Sequence, residues 1–250
     1  TAVLQISNAQ VADKGEYSCT VTDPINPFCN STTTATAQFS VGDCAITWAQ
    51  VATSGPGARR NPAMAYDSAR GRLVLFGGSN NSGTLGDTWE WDGSTWTLRS
   101  TSGPGPRTGV AMAFDATHGR TLLFGGYNAA SQAQSDTWSW DGTTWTKVAT
   151  TGPTARFYGT MTFDGARGEI IFFGGLQQNF ALPSDTWAWD GVKWVLVSNT
   201  GPGGRYAASM AYDSVRQRVV VFGGFDVSST NFADTWEWDG VAWAKKADGT

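Results

Sequence analysis

From residue 55 onward the chain is built of short apolar runs divided by polar turns. The first unit sets the pattern: A-M-A-Y at 63–66, R-L-V-L-F at 72–76, T-W-E-W at 88–91 and T-W-T-L at 95–98. Runs of four or five residues rich in β-branched and aromatic side chains, bounded by Gly, Pro and Asp, are strand signals. They are named strands a, b, c and d in chain order. The turn at 67–71 separates a from b, Gly77 and Gly78 end strand b, and Asp92-Gly93 makes a tight hairpin turn between c and d. No stretch sustains a helical apolar period with a capping signal over three turns, so the pattern predicts an all-β fold.

The unit recurs. F-G-G stands at 76–78, 124–126, 173–175 and 222–224, and D-T-W at 87–89, 136–138, 185–187 and 234–236. W-D-G follows at 91–93, 140–142, 189–191 and 238–240, then a lone Trp at 96, 145, 194 and 243. Each unit opens with Gly-Pro and, three residues after the Pro, an arginine: Arg59, Arg107, Arg156 and Arg205. The repeats span about 55–102, 103–151, 152–200 and 201–250. A four-stranded meander at this period is a propeller blade, and a single blade cannot bury both faces, so neighbours must stack.

The order G-P-x-x-R, apolar strand, F-G-G, D-T-W-x-W-D-G, Trp resembles the kelch repeat of kelch-like and galactose-oxidase-like propellers. The resemblance covers residues from about 45 to 248. It implies kelch-type β-propeller blades, typically in rings of six or seven, and a family in which most members bind partners and a minority are enzymes. The Asp-box of sialidase propellers is a poorer match, because it has no place for F-G-G or D-T-W. Trp48 aligns with the d-strand tryptophans, which leaves one d strand in excess. The expectation is therefore four blades of an incomplete ring within residues 44–250, completed by blades beyond Thr250.

Residues 1–43 lie outside the repeat. Asp13-Lys14-Gly15-Glu16-Tyr17-Ser18-Cys19 resembles the D-x-G-x-Y-x-C of immunoglobulin-like domains, with Ala35, Ala37, Phe39 and Val41 alternating as a last strand. The resemblance implies the C-terminal half of such a domain, a partial immunoglobulin-like β-sandwich. It also implies an oxidising compartment. Of three cysteines, Cys29 and Cys44 are expected to pair, since two thiols with no nearby His do not make a four-ligand zinc site. The protein is expected to be secreted or held at a cell surface, where the sequons at Asn30 and Asn80 matter only in a host that glycosylates.

Charge narrows the function. The net charge is −4 and Lys and Arg form no stripe, so no nucleic-acid partner is expected. No apolar run reaches the length of a membrane span. Thirteen Trp and thirty-one Gly fit strands and tight turns. Trp89 and Trp91, and their equivalents, share one strand face and suit the wedge between blades better than a sugar platform. The repeated arginines are expected to bond loop carbonyls, and Asp92, Asp141, Asp190 and Asp239 to form turns. His118, the only His, replaces an arginine in an a–b turn and is expected to be solvated. It cannot complete a copper site or a Ser-His-Asp set, so no catalytic residue, metal or cofactor is assigned.

What varies between units is the b–c loops at 79–86, 127–135, 176–184 and 225–233. They share one face of the array with the d–a connections and carry Tyr127, Leu176, Phe180, Phe225 and Phe232, the candidate ligand-binding residues. The function expected is an extracellular protein- or carbohydrate-binding adhesion or scaffold module without catalytic activity. The alternative is a fragment of a secreted carbohydrate-active enzyme, oxidase or sialidase-like, whose active site lies in missing blades.

Overall fold

The computed structural model describes residues 15–17, 37–39, 50–228 and 230–249. The chain divides into two compact units, Thr1–Gln50 and Val51–Thr250. Of the first, the structure describes one antiparallel pair, Gly15–Tyr17 with Ala37–Phe39, in the register Gly15 to Phe39 and Tyr17 to Ala37. Cys19, Cys29, Cys44, Asn30 and Trp48 lie outside the described residues, so the expected disulfide and the lone d strand do too.

The second unit holds four four-stranded antiparallel sheets, each in the order a-b-c-d. Blade 1 comprises Ala63–Asp67, Arg72–Phe76, Thr88–Trp91 and Trp96–Ser100. Blade 2 comprises Ala111–Asp115, Arg120–Phe124, Thr137–Trp140 and Trp145–Ala149. Blade 3 comprises Thr160–Asp164, Glu169–Phe173, Thr186–Trp189 and Trp194–Ser198. Blade 4 comprises Ser209–Asp213, Arg218–Phe222, Thr235–Trp238 and Trp243–Ala247. Strands b and c match their predicted limits. Strand d starts one residue later than predicted, at the Trp, and every c–d pair shifts register just after the D-T-W Thr. Among the described residues there is no helix.

The core lies between blades. Side chains alternate along a strand, so each sheet has a leading face toward the previous blade and a trailing face toward the next. Between blades 1 and 2, Ala63, Ala65, Val74 and Phe76 meet Val110, Met112, Leu123 and Trp140. Between blades 2 and 3, Ala111, Ala113, Leu122 and Phe124 meet Met161, Ile170, Phe172 and Trp189. Ile171 and Ala188 meet Val219 and Trp238 in the third interface. Small residues on trailing strands a thus receive larger ones from the next leading face.

The tryptophans divide their work. Trp140, Trp189 and Trp238 are fully buried in the wedges. The d-strand Trp145, Trp194 and Trp243 reach back to Phe76, Phe124 and Phe173 of the previous blade, with ring centroids 5.4, 5.6 and 5.7 Å apart. Their indole N–H groups donate to Thr88, Thr137 and Thr186 of that blade, at 2.8 Å in each case. Inter-blade packing is therefore the role of these rings, as their spacing implied.

Candidate functional site

The candidate side chains stand on the face formed by the b–c loops and d–a connections, and a part-buried ion pair in each blade braces that face. Arg59, Arg107, Arg156 and Arg205 precede strand a by four residues and grip Asp87, Asp136, Asp185 and Asp234 at 2.5 to 2.7 Å. Arg59, Arg107 and Arg205 also donate to the first carbonyl after strand b, that of Gly77, Gly125 and Gly223. The carbonyl bonds agree with the predicted structural role; the aspartate partner of D-T-W is an addition. The same carboxylates accept the indole N–H of Trp89, Trp138, Trp187 and Trp236 at 2.6 to 2.7 Å. Burial pushes the Asp136 and Asp185 carboxyls up, but bonds from Arg and Trp outweigh it and hold both below the usual carboxylate range.

The glycine pair then ties each loop to the next blade. Gly78, Gly126 and Gly175 donate their amides to the carbonyls of Arg107, Arg156 and Arg205 at 2.9 to 3.0 Å. A Cβ on Gly77 would lie 2.5 Å from the Arg107 carbonyl oxygen, and its φ is +63°, which explains why this pair does not vary. The next residue of each loop is held by its own blade. Arg107–Thr108 pairs with Tyr127–Asn128 and Arg156–Phe157 with Leu176–Gln177, while Arg60 bridges to Ser79 and Tyr206 to Phe225.

One residue further on, Asn61, Gly109, Tyr158 and Ala207 all have φ between +50° and +63°. They form a backbone chain across the blades: Gly109 N–H to Asn61 O, Tyr158 N–H to Gly109 O, and Ala207 N–H to Tyr158 O, at 3.3, 2.7 and 2.8 Å. The left-handed region costs an ordinary residue about 1–2 kcal/mol, and bonds to one or both neighbouring blades hold it here.

These anchors place five rings in a continuous arc. Tyr127 lies 4.9 Å from Phe157, Phe157 5.2 Å from Tyr158, Tyr158 6.2 Å from Tyr206, and Tyr206 5.7 Å from Phe225. The Tyr158 hydroxyl accepts from Asn61 Nδ2 at 3.0 Å, reaching across from blade 3 to blade 1. Four rings are half-buried and Phe225 is exposed. Beside Tyr127, a cleft of about 530 Å³ between blades 1 and 2 is lined by polar residues including Arg60, Ser79, Thr108 and Asn128 together with Pro106 and Ala129. Within it Arg60 Nε donates to Ser79 Oγ, and the buried Thr84 Oγ1 has no protein partner.

The five candidates from the sequence separate. Tyr127 and Phe225 belong to the arc. Leu176 is half-buried and pairs with Phe157 through the backbone, beneath the arc. Phe180 is 71% exposed at its loop tip, outside the arc. Phe232 lies 4.0 Å over the Arg205 guanidinium and roofs that blade's ion pair. Phe157, Tyr158 and Tyr206 were missed because they follow the repeated Arg, in a segment whose role was assigned to that Arg. Asp226, the variable-loop carboxylate, accepts the amides of Ser228 and Thr230 at 2.8 Å and closes its own loop.

The other face is the repeated one. Asp92 and Asp141 accept amides two and three residues ahead. Asp92 is held at about 2 by the Ser94 and Thr95 amides, and Asp141 at about 2 by amide and hydroxyl bonds from Thr143 and Thr144 that outweigh slight desolvation. Both are the predicted turn formers. His118 is exposed in its turn and bonds Asp115 at 2.8 Å, as Arg70 and Arg167 bond Asp67 and Asp164. Among the described residues no group of three His, Cys, Asp or Glu is placed to hold a metal ion, and no helix is long and apolar enough to cross a membrane.

Comparison with known proteins agrees with this geometry. A family model described as the kelch motif matches residues 60–105. A solved structure described as "Structure of YjhT" is similar with a TM-score of 0.65 at 17% identity, over 80% of this chain and 68% of that one. At that identity the likeness is one of fold. None of the curated proteins matches. The repeat, the sheet order and the likeness to a solved structure make the second unit a set of propeller blades, within which residues 60–105 match the kelch motif.

Proposed function

We propose that this chain is an exported, non-catalytic adhesion or scaffold module that binds a glycan or protein through the aromatic arc. The observation that carries this reading is the run Tyr127–Phe157–Tyr158–Tyr206–Phe225, partly exposed on a face whose backbone is held rigid. Aromatic faces beside amide and hydroxyl groups suit a sugar, whose C–H faces pack on rings while its hydroxyls find Asn61, Asn128 and Arg60. The exposed Phe180 favours a protein partner as the second reading. Non-catalytic action is supported by where the acids are. Asp87, Asp136, Asp185 and Asp234 are taken up by Arg and Trp, Asp226 by its own loop, and His118 sits on the opposite face. The immunoglobulin-like reading of residues 1–43 and the Cys29–Cys44 bond belong to this proposal. The antiparallel pair at 15–17 and 37–39 is the arrangement expected of that domain's last two strands.

The test is a glycan array and a panel of purified extracellular matrix proteins, probed with the whole chain and with Tyr158→Ala/Tyr206→Ala. Losing two central rings should weaken binding by about 10- to 100-fold with an unchanged circular dichroism spectrum. Val192→Ser on the opposite face should leave binding intact. Equal binding by the double variant, or loss on Val192→Ser, would refute the site.

A further inference from the structure

The residue after each ion-pair arginine holds one place in every blade: Arg60, Thr108, Phe157 and Tyr206. Each is bound through its backbone to the first residue after the glycine pair, Ser79, Tyr127, Leu176 and Phe225. In blades 3 and 4 this place carries a ring of the arc. In blade 1 it carries a cation. The arc ends at Tyr127, and Tyr127 also lines the cleft between blades 1 and 2 that holds Arg60.

An exposed arginine alone would say little, but the surroundings of this one are unusual. The four arginines that brace the face each hold an aspartate. Arg60 makes no ion pair among the described residues, and the cleft around it is lined by no Asp, Glu, Lys or second Arg, in a chain of net charge −4. Its Nε donates to Ser79 Oγ at 3.2 Å, while its two terminal nitrogens have no hydrogen-bond partner among the described residues. An arginine anchored through Nε presents those terminal N–H groups side by side, and a carboxylate is the planar group whose two oxygens match them. Two further groups in the lining are free to meet hydroxyls. Asn128 Oδ1 accepts the amides of Ala130 and Gln132 at 3.0 Å, which leaves Nδ2 to donate elsewhere. The b–c loop of blade 1 closes on itself, Ser79–Asn80 against Gly83–Thr84, and its buried Thr84 Oγ1 has no protein partner.

We propose that this cleft is an acidic-sugar subsite, which takes the carboxylate of one hexuronic acid unit on Arg60 while the rest of the glycan lies along the arc. The inference rests on the reading of the arc as a glycan site and names the class of glycan. In a hexuronic acid the carboxylate is attached directly to the pyranose ring. Arg60 and Tyr127 line one cleft, so a single unit can give its charge to the guanidinium and a C–H face to the ring. Asn128 and Thr84 take hydroxyls of the same unit. One unpaired cation without a neighbouring acid suits one carboxylate, so this end of the arc discriminates by charge and the rest of it by ring packing.

Isothermal titration calorimetry of the whole chain with short oligomers of galacturonate, glucuronate and mannuronate, and with their methyl esters, tests this. The ester removes the charge and keeps the sugar ring. At least one acid should bind about 10-fold or more tightly than its ester. Arg60→Gln, at an exposed position, should abolish that difference by weakening the acid alone, and Arg60→Lys, which keeps the charge but not the fork, should restore only part of it. Tyr158→Ala/Tyr206→Ala should weaken acid and ester alike, so the subsite and the arc fail separately. Equal affinity for acid and ester, or an unchanged affinity of Arg60→Gln for the acid, would overturn the subsite and leave the arc reading intact. Uronates that fail to bind while a neutral glycan binds would do the same. Dextran sulfate competing as well as the uronate would also overturn it, since any anion would then serve. Binding of no glycan at all would overturn both readings.

Discussion

Trp140, Trp189 and Trp238 occupy one position in three successive blades, and all are within 1% of full burial. Their indole N–H groups nevertheless meet different surroundings. Trp140 Nε1 donates to Glu90 at 2.9 Å, a carboxylate also held by Arg70. The residue at the Glu90 position is Ser139 in blade 2 and Ala188 in blade 3. Trp189 Nε1 and Trp238 Nε1 are accordingly buried without a partner. Replacing each Trp by Phe removes about the same ring area, so that cost is common to the three variants and cancels in their differences. What remains is the hydrogen bond. A bond to a charged acceptor contributes about 1.5–3 kcal/mol, and an orphaned buried donor costs about 1–3 kcal/mol that its removal recovers. Trp140→Phe should therefore destabilise more than Trp189→Phe or Trp238→Phe by about 1.5–3 kcal/mol at least. Guanidinium unfolding followed by circular dichroism, with slopes compared across variants, measures this difference. Three variants equal within about 0.5 kcal/mol would refute the reasoning, because the indole bond would then contribute nothing beyond ring packing.

Asp185→Asn leaves the Arg156 guanidinium, 1% exposed, without its charge partner; a loss of about 3–5 kcal/mol is expected in the same unfolding assay. Gly152 has φ +139°, and an added Cβ would lie 2.4 Å from Trp194 Cδ1; Gly152→Ala should cost more than about 1 kcal/mol and lower the melting temperature. Acid should unfold the blades through their aspartates. Asp87, Asp136, Asp185 and Asp234 bind protons less readily folded than unfolded, so their stabilisation is complete above the unfolded value near 3.8 and disappears as pH falls through the lower folded values. Melting temperatures measured from pH 7 to pH 2 should be steady at first and drop below about pH 4. A flat profile to pH 2 would count against the ion pairs.

The blades were legible because each strand is local and each repeats. A run such as R-L-V-L-F carries its own strand signal, and recurrence shows that the faces of such strands meet one another. The turn aspartates were legible for the same reason, since Asp92 bonds amides two and three residues away. The partner of Arg59 was not, although Asp87 stands at a constant offset in every unit. It lies 28 residues away, and D-T-W reads first as the start of a strand. The arc was hardest. Phe157 and Tyr158 precede one strand a, Tyr206 precedes the next, and Tyr127 and Phe225 come from loops in different blades. Only the two-residue pairings just after the glycines bring them together, too short to leave a period in the sequence. Phe180, conspicuous in its loop, lies past those pairings and joins nothing.

The chain through residues 61, 109, 158 and 207 is held by backbone bonds between neighbouring blades, to which the Asn61–Tyr158 side-chain bond adds one contact. Asn, Gly, Tyr and Ala fill equivalent places there without altering the path. The contents are nevertheless coupled: a Cβ at Gly109 would lie 2.7 Å from Tyr158 Cε1, and Asn61 bonds the Tyr158 hydroxyl. Four such positions on one fixed backbone path give a surface whose chemistry changes in concert, since the side chain at one place limits what its neighbours can carry.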